Sequence, residues 1–442
     1  MKAGVFGSIA LKYLWRYRRR YLFLFLTLGF SFGVVTAISA LKDGMKENLY
    51  LSAQSHYAGD IVADGRDPSL KIDHHLSGAE LEAILASSRA AGIVPAATVP
   101  RTVLFGGNEG TVYFNGNAVA LKYTVGVDWE KETPYFSRLT YTEAPGTMPE
   151  TMNDDSILLS APIAQELGAQ KGDSVILETK TASGERNTGT FVAAGIVNDS
   201  SFFGYYKVYL SRQSLNRLIG FADGDCSLVG FFFNDRNQRR IEQKRAALHG
   251  ELSSRIPAGP LTYDRESFDR ERDAVKDGSA VFLLTLPVYL SEVAQLMNAI
   301  DLASWVLYAM MLAIIMVSAA VTCRLILHER TRETGTMRAI GCYESDVRFV
   351  FKLEIFVMAL FSMIAGFFLA LLVNSIISGG SFAWVPGFEV FLQNGKLDAV
   401  YLPGTVAVNA LAVSVMLTLA IWSPIFRNSR SPLPGMLSGG AL

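Results

Sequence analysis

Apolar and polar positions alternate on two very different scales along this chain. At the coarse scale, four long apolar runs stand out at residues 21–41, 299–324, 350–377 and 402–426. The first reads YLFLFLTLGFSFGVVTAISAL. A helix needs about 20 predominantly apolar residues to cross the hydrocarbon core of a bilayer, so each run predicts a transmembrane helix. Short polar connectors lie between the later runs, at 325–349 and 378–401, and flanking segments occupy 1–20 and 427–442.

At the fine scale, residues 42–298 show the short periods of a water-soluble domain. GDIVAD (59–64) predicts a strand. GAELEAILASSRA (78–90) predicts a helix with Leu81, Ile84 and Leu85 on one face. TVPRTVLF, GTVYFNGN and VALKYTVGVD predict successive strands divided by Gly and Asn turns. SVILETKT and TGTFVAAGIV flank SGERN and predict a hairpin. YYKVYLS, SLNRLIGF, SLVGFFFND and NQRRIEQKRAALHG then continue as strand, helix, strand and helix. This is the signature of an α+β domain, read here as two lobes. From Ser267 to Met297 the expectation is a helix leading toward the membrane and bent at Pro287. A fifth span there is rejected, because the run is short, contains proline and spoils the pattern of basic residues around the other four.

Composition agrees with a membrane chain: 50% of residues are hydrophobic and 18% charged, where soluble domains carry about a quarter. The net charge of −1 gives no sign of a nucleic-acid partner. Local charge is more informative. Lys2, Lys12, Arg16, Arg18, Arg19 and Arg20 precede the first span; Arg324, Arg330, Arg332, Arg338, Arg348 and Lys352 surround the 325–349 connector; Arg427 and Arg430 follow the fourth span. The 378–401 loop holds only Lys396. With four spans, all three basic segments fall on the cytoplasmic side, and the large domain and the 378–401 loop fall outside. The expected fold class is therefore a membrane protein of four transmembrane α-helices with a large α+β extracytoplasmic domain inserted between the first and second. Residues 21–41 exceed the length of a signal-peptide core, which argues for a retained span. Within 1–20, Phe6, Ile9, Ala10, Tyr13, Leu14 and Tyr17 recur at helical spacing, the pattern of an amphipathic helix on the inner membrane face.

Catalytic signatures are missing: there is no GxSxG, HExxH, Walker A or GxGxxG following a strand. Cys226, Cys323 and Cys342 have no metal-binding spacing. His74-His75 reads as a solvated loop rather than a metal site, and Asp223-Gly224-Asp225 offers too few oxygens for calcium. No catalytic, cofactor or metal residue is assigned.

The connector HERTRETGTMRAIGCYES (328–345) is charged and helix-friendly. Glu329, Arg332 and Glu333 suggest that the second span's helix continues past the membrane. Gly335 can end or kink it, Met337 and Ile340 share one side with Arg338 opposite, Gly341 ends the turn, and Glu344 and Asp346 open the third span. The result is a short elbow between two spans. Two stripes of small residues, Gly29/Gly33/Ala37 and Ser362/Gly366/Ala370, permit close helix packing, either within one chain or across a dimer. Glu354, inside the third apolar run, needs a partner; Arg348, Lys352 or another span can supply one.

The run ERTRETGTMRAIGCYESDVRFVFKLE (329–354) resembles the signature of the MacB/FtsX-type (type VII) ABC transporter permeases, carried here by Glu329, Arg330, Arg332, Glu333, Gly335, Arg338, Ala339, Ile340, Gly341 and Glu354. SIALKYLWRYRRR, GVDWEKE, ILLSAPIAQELGAQKGDSVIL, FVAAGIV and RNSRSPLPGML resemble other parts of that family. The resemblance implies a MacB-like fold in the bacterial inner membrane, with both termini cytoplasmic and the large domain periplasmic. It implies that the elbow, with Met337 included, docks a separate cytosolic ABC ATPase, which binds ATP and Mg while this chain binds no cofactor. It also implies pairing with a second permease subunit, identical or not. The layout, without a fused ATPase, is closest to LolC and LolE, and FEVFLQNGKL (388–397) is similar to that branch. On that footing the expected work is lipoprotein release, with a periplasmic carrier downstream. The alternatives are efflux of amphipathic drugs or peptides through an adaptor, or FtsX-like control of a cell-wall hydrolase.

Overall fold

The elements of the chain are ordered by the two scales of patterning. A computed structural model describes residues 18–136, 139, 141–142, 149, 152–198, 206–235, 237–289, 291–339, 341–382, 391–392 and 396–429. The expected amphipathic helix before Arg18, Ile340, most of 388–397 and the tail from Arg430 lie outside the described residues. The first helix is α1, Arg18–His56. Then come β1 (Ile61–Arg66), α2 (Gly78–Ala90), β2 (Ala97–Leu104), β3 (Thr111–Phe114), β4 (Asn117–Ala120), β5 (Tyr123–Val127), α3 (Trp129–Phe136), β6 (Ser156–Ser160) and α4 (Ala161–Leu167). Next are β7 (Ser174–Lys180), β8 (Arg186–Val197), β9 (Lys207–Ser211), α5 (Arg212–Ile219), β10 (Leu228–Phe232), α6 (Gln238–Ser253), α7 (Arg265–Ala274), β11 (Ala280–Thr285) and α8 (Leu286–Tyr289). The long helices α9 (Ser291–Glu329), α11 (Glu344–Gly379) and α12 (Pro403–Ser429) complete the chain, with α10 (Thr331–Ala339) between the first two of them.

Two units result. One gathers residues 1–47, 297–381 and 397–442; the other gathers 48–296 and 382–396. In the first unit, four helices among the described residues are long and apolar enough to cross a membrane: those spanning Tyr21–His56, Asn298–Glu329, Glu344–Gly379 and Pro403–Trp422. Their shared core is made of Leu24, Leu28, Phe32, Ile315, Ala319, Phe351, Ile355, Val413 and Leu417. Phe23, Trp305, Phe368 and Leu411 are exposed on their outer faces, as lipid contact requires.

The second unit is the α+β domain inserted between the first and second spans. Among the described residues, eleven strands form one sheet in the order β11-β1-β10-β2-β5-β9-β6-β8-β7-β3-β4. β2 joins the halves: Ala97–Arg101 pair with β10 and Thr102–Leu104 with β5. Each half has its own core. Ile61, Phe231 and Leu283 pack with Ile84 of α2 and Ile241 and Leu248 of α6. Ile157, Val175, Leu177 and Val208 pack with Ile163 of α4 and Leu215 and Ile219 of α5. Local signals fix several elements. Ser77 and Glu80 form a reciprocal capping box at the start of α2, and β7 and β8 pair antiparallel around their Gly184 turn.

Three expectations are corrected. The stretch before the membrane is not one helix: AVFLLT is strand β11, paired along its whole length with β1. Both of its faces are covered, Val281 and Leu283 by one core and Phe282 and Leu284 by another around Phe268, so its apolar run lacks any period to distinguish strand from helix. VALKYTVGVD is two strands, β4 and β5, interrupted at Leu121-Lys122. His74 and His75 lie in a loop, as expected, but are only partly exposed and are each held by a carboxylate. His74 Nδ1 lies 2.8 Å from Asp64 Oδ1 and His75 Nε2 lies 3.1 Å from Asp225 Oδ2.

Candidate functional site

The elbow between α9 and α11 is built by local hydrogen bonding. The Thr331 hydroxyl donates to the His328 carbonyl at 2.8 Å, and the Thr334 hydroxyl donates to the Arg330 carbonyl at 3.0 Å. Such back-bonding bends a helix and accounts for the break at Arg330. Gly335 neither ends nor kinks α10. It is buried inside that helix. Gly341 does end the helix: its φ is +99°, its N–H donates to the Arg338 carbonyl at 3.1 Å, and the Cys342 N–H donates to the Met337 carbonyl at 3.1 Å. Glu344 and Asp346 then occupy the first turn of α11. Arg338 Nη2 stands 3.3 Å from Glu344 Oε1 and braces the two sides of the turn.

The ten elbow residues carried by the resemblance are split by this geometry. Glu329, Ala339 and Gly341 are exposed, and Glu333 and Arg338 are partly so. Met337 packs on the helix core. Arg332 belongs to α10, while Ile340 lies outside the described residues. Arg330 faces inward and is 2% exposed.

Arg330 is there because Glu354 is. Glu354 is fully buried, and its Oε2 accepts from Arg330 Nη1 at 2.5 Å and from the Tyr21 hydroxyl at 2.7 Å. Arg330 Nε also donates to Glu333 at 3.1 Å, and the guanidinium lies 4.7 Å from the centre of the Phe351 ring. Glu354 Oε1 has no partner among the described residues. The partner is thus neither Arg348 nor Lys352, which share the helix of Glu354. It comes from the elbow, with Tyr21 of the first span. Burying either ion alone costs several kcal/mol, so the pair is stable only as a pair.

The two small-residue stripes meet within one chain. A Cβ on Gly29 would lie 3.1 Å from the Ser362 carbonyl oxygen, and one on Gly33 would lie 2.8 Å from that of Gly366. Neither contact can open without moving backbone. Further along the seam, Asn374 Nδ2 donates to the Ala37 carbonyl at 3.3 Å and Tyr401 donates to the Ala370 carbonyl at 3.1 Å.

Sequence reasoning missed a second buried ion pair, in the inserted domain. Arg101 Nη1 donates to the Ser55 and His56 carbonyls at 2.7 and 3.2 Å, capping the last turn of α1. Its Nε donates to Glu132 at 2.9 Å. Burial alone would lower its basicity, but the Glu132 carboxylate more than offsets that and holds it above the ordinary arginine range. Tyr50 and Gln54 of α1 donate to Asp60, which also accepts from the Phe233 N–H at 2.7 Å. An arginine inside the strand pattern TVPRTVL was the available signal. Among the described residues, no cluster of His, Cys, Asp and Glu is arranged to hold a metal.

Residues 305–433, which include the elbow and its buried pair, match the model of the FtsX-like permease C-terminal family. The chain thus carries an FtsX-like permease C-terminal region. No curated protein matches the chain in sequence. Among solved structures, it is similar to the periplasmic region of MacB from Actinobacillus actinomycetemcomitans at 10% identity and a TM-score of 0.30, over 53% of this chain and 92% of that chain. The chain has four described helices long and apolar enough to cross a membrane, and its candidate site is an elbow between two of them, held by a buried ion pair.

Proposed function

We propose that this permease is the membrane subunit of an ABC transporter, and that it turns ATP hydrolysis by a separate cytosolic ATPase into movement of its periplasmic domain. The observation that carries this reading is the elbow, which falls inside the FtsX-like region and presents Glu333, Arg338 and Ala339 on a short helix between two spans, beside exposed Glu329 at the end of α9. ATP and Mg belong to the ATPase; the permease contributes a docking surface and no chemistry. In this reading both termini and the elbow lie in the cytoplasm, a second permease subunit completes the complex, and the inserted domain stands in the periplasm. The supporting asymmetry is the basic residues on the segments placed inside. The cargo we propose is a lipoprotein drawn from the inner membrane and passed to a periplasmic carrier, on the resemblance in layout to LolC and LolE.

The coupling is tested by Arg338→Glu in the full chain. This variant inserts normally in the membrane but loses the co-purifying ATPase, because the substitution reverses the elbow's charge and repels Glu344. Wild-type recovery of the ATPase with Arg338→Glu rejects the assignment. Mass spectrometry of the detergent-purified complex tests the cargo, the expected finding being bound lipidated proteins.

A further inference from the structure

We propose that Arg330, Glu354 and Tyr21 form a positioning link that makes the elbow and the first and third spans move as one body, separate from the surface that docks the ATPase. The proposal deepens the coupling function and rests on it for the source of motion, but the link itself is a property of this chain.

Three observations carry it. First, the three residues come from three elements, α1, the turn at the start of the elbow and α11, and meet on one carboxylate oxygen. Arg330 and Glu354 are almost wholly buried, so an incoming protein cannot touch them without prior opening. Second, Arg330 sits at the junction between α9 and α10, where Glu329 ends one helix and Thr331 starts the next. Without a tether, the elbow could swing about that junction while the spans stayed in place. Third, the small-residue seam joins α1 to α11 deeper in the same unit through Gly29, Gly33, Ser362 and Gly366. The seam fixes the two spans to each other, and the ion pair fixes the elbow to both. A charged pair suits this task because it has one favourable geometry. Leaving either ion unpaired in an apolar setting is costly, so a displaced elbow is drawn back to the same position.

The test is a distance distribution on the full chain in lipid nanodiscs, without nucleotide or ATPase. Cys226, Cys323 and Cys342 are replaced by alanine, and spin labels are attached at Leu26→Cys on the lipid face of α1 and Ala339→Cys at the end of α10. The wild-type background gives a single narrow distribution. Glu354→Gln keeps the side chain's shape and removes its charge; the distribution broadens. Tyr21→Phe broadens it less, and Arg330→Lys, which retains a cation, stays narrower than Arg330→Met. A Glu354→Gln distribution as narrow as wild type overturns the link. A parallel purification without labels separates this from docking: Glu354→Gln still recovers the ATPase. Loss of the ATPase from Glu354→Gln would place that residue in the docking function and likewise overturn the proposal. If even the wild-type chain recovers no ATPase, the coupling function fails, and the nucleotide-free distance still decides the link.

Discussion

Arg101 and Arg330 are both arginines at interior positions, each paired with a buried carboxylate, Glu132 and Glu354. Their energetics make a sharp expectation. Arg101→Met leaves Glu132 buried without its cation, and breaking a buried pair in this way costs about 3–5 kcal/mol. The double variant Arg101→Met/Glu132→Leu removes both charges and recovers most of that loss, because a well-packed apolar pair avoids desolvation altogether. The check is the unfolding midpoint of the full chain in detergent, monitored by fluorescence of Trp129, which packs against Phe136 at 5.2 Å on the α3 side of the pair. A double variant no more stable than the single one removes the argument. Neither pair was legible in the sequence. The need of Glu354 for a partner was clear from its apolar surroundings, but the partner's identity was not. Arg348 and Lys352 are its neighbours along the chain, whereas Arg330 and Tyr21 reach it only through helix packing.

At the level of elements, legibility tracked how local the deciding force is. Helix α2 and the β7–β8 hairpin were readable because a capping box and a glycine turn act within a few residues. Strand β11 was not, because its six residues are buried on both faces by partners distant in the chain. Gly335 misled for a related reason. Glycine weakens a helix by only about 1 kcal/mol, and burial within the elbow outweighs that preference. The small-residue stripes were visible as stripes, while their pairing within a single chain needed the third dimension. That pairing is open to a direct check. Gly33→Ala places a methyl group 2.8 Å from a backbone carbonyl that cannot yield, an overpacking expected to cost about 1–3 kcal/mol. Phe23→Ala, on an exposed face of the same helix, serves as the control. In size-exclusion thermostability measurements the first variant melts earlier than wild type and the second does not; equal midpoints would mean that the seam is loose enough to admit a methyl group.

For the whole molecule the open matter is orientation, and the chain carries its own reporter. Four spans with basic residues before the first, between the second and third and after the fourth are the basis on which the proposed function puts the elbow in the cytoplasm. Three cysteines are present, and burial divides them. Cys226 is enclosed in the inserted domain, where burial pushes its thiol up to about 12, so at pH 7.5 it holds almost no thiolate and resists alkylation. Cys323 is buried among the spans. Cys342 is only partly buried and comes directly after exposed Gly341 at the end of the elbow. A membrane-impermeant maleimide should therefore spare the native protein on intact cells with a permeabilised outer membrane and modify it in inverted inner-membrane vesicles. Cys342→Ala should abolish the vesicle signal, and denaturation should restore labelling through Cys226 and Cys323. Because Cys226 stays silent whichever way the chain lies, the signal reports the elbow alone. Rapid Cys342-dependent labelling on the intact cells would put the elbow outside. It would then be beyond the reach of any cytosolic ATPase, and the coupling function would fall with the topology.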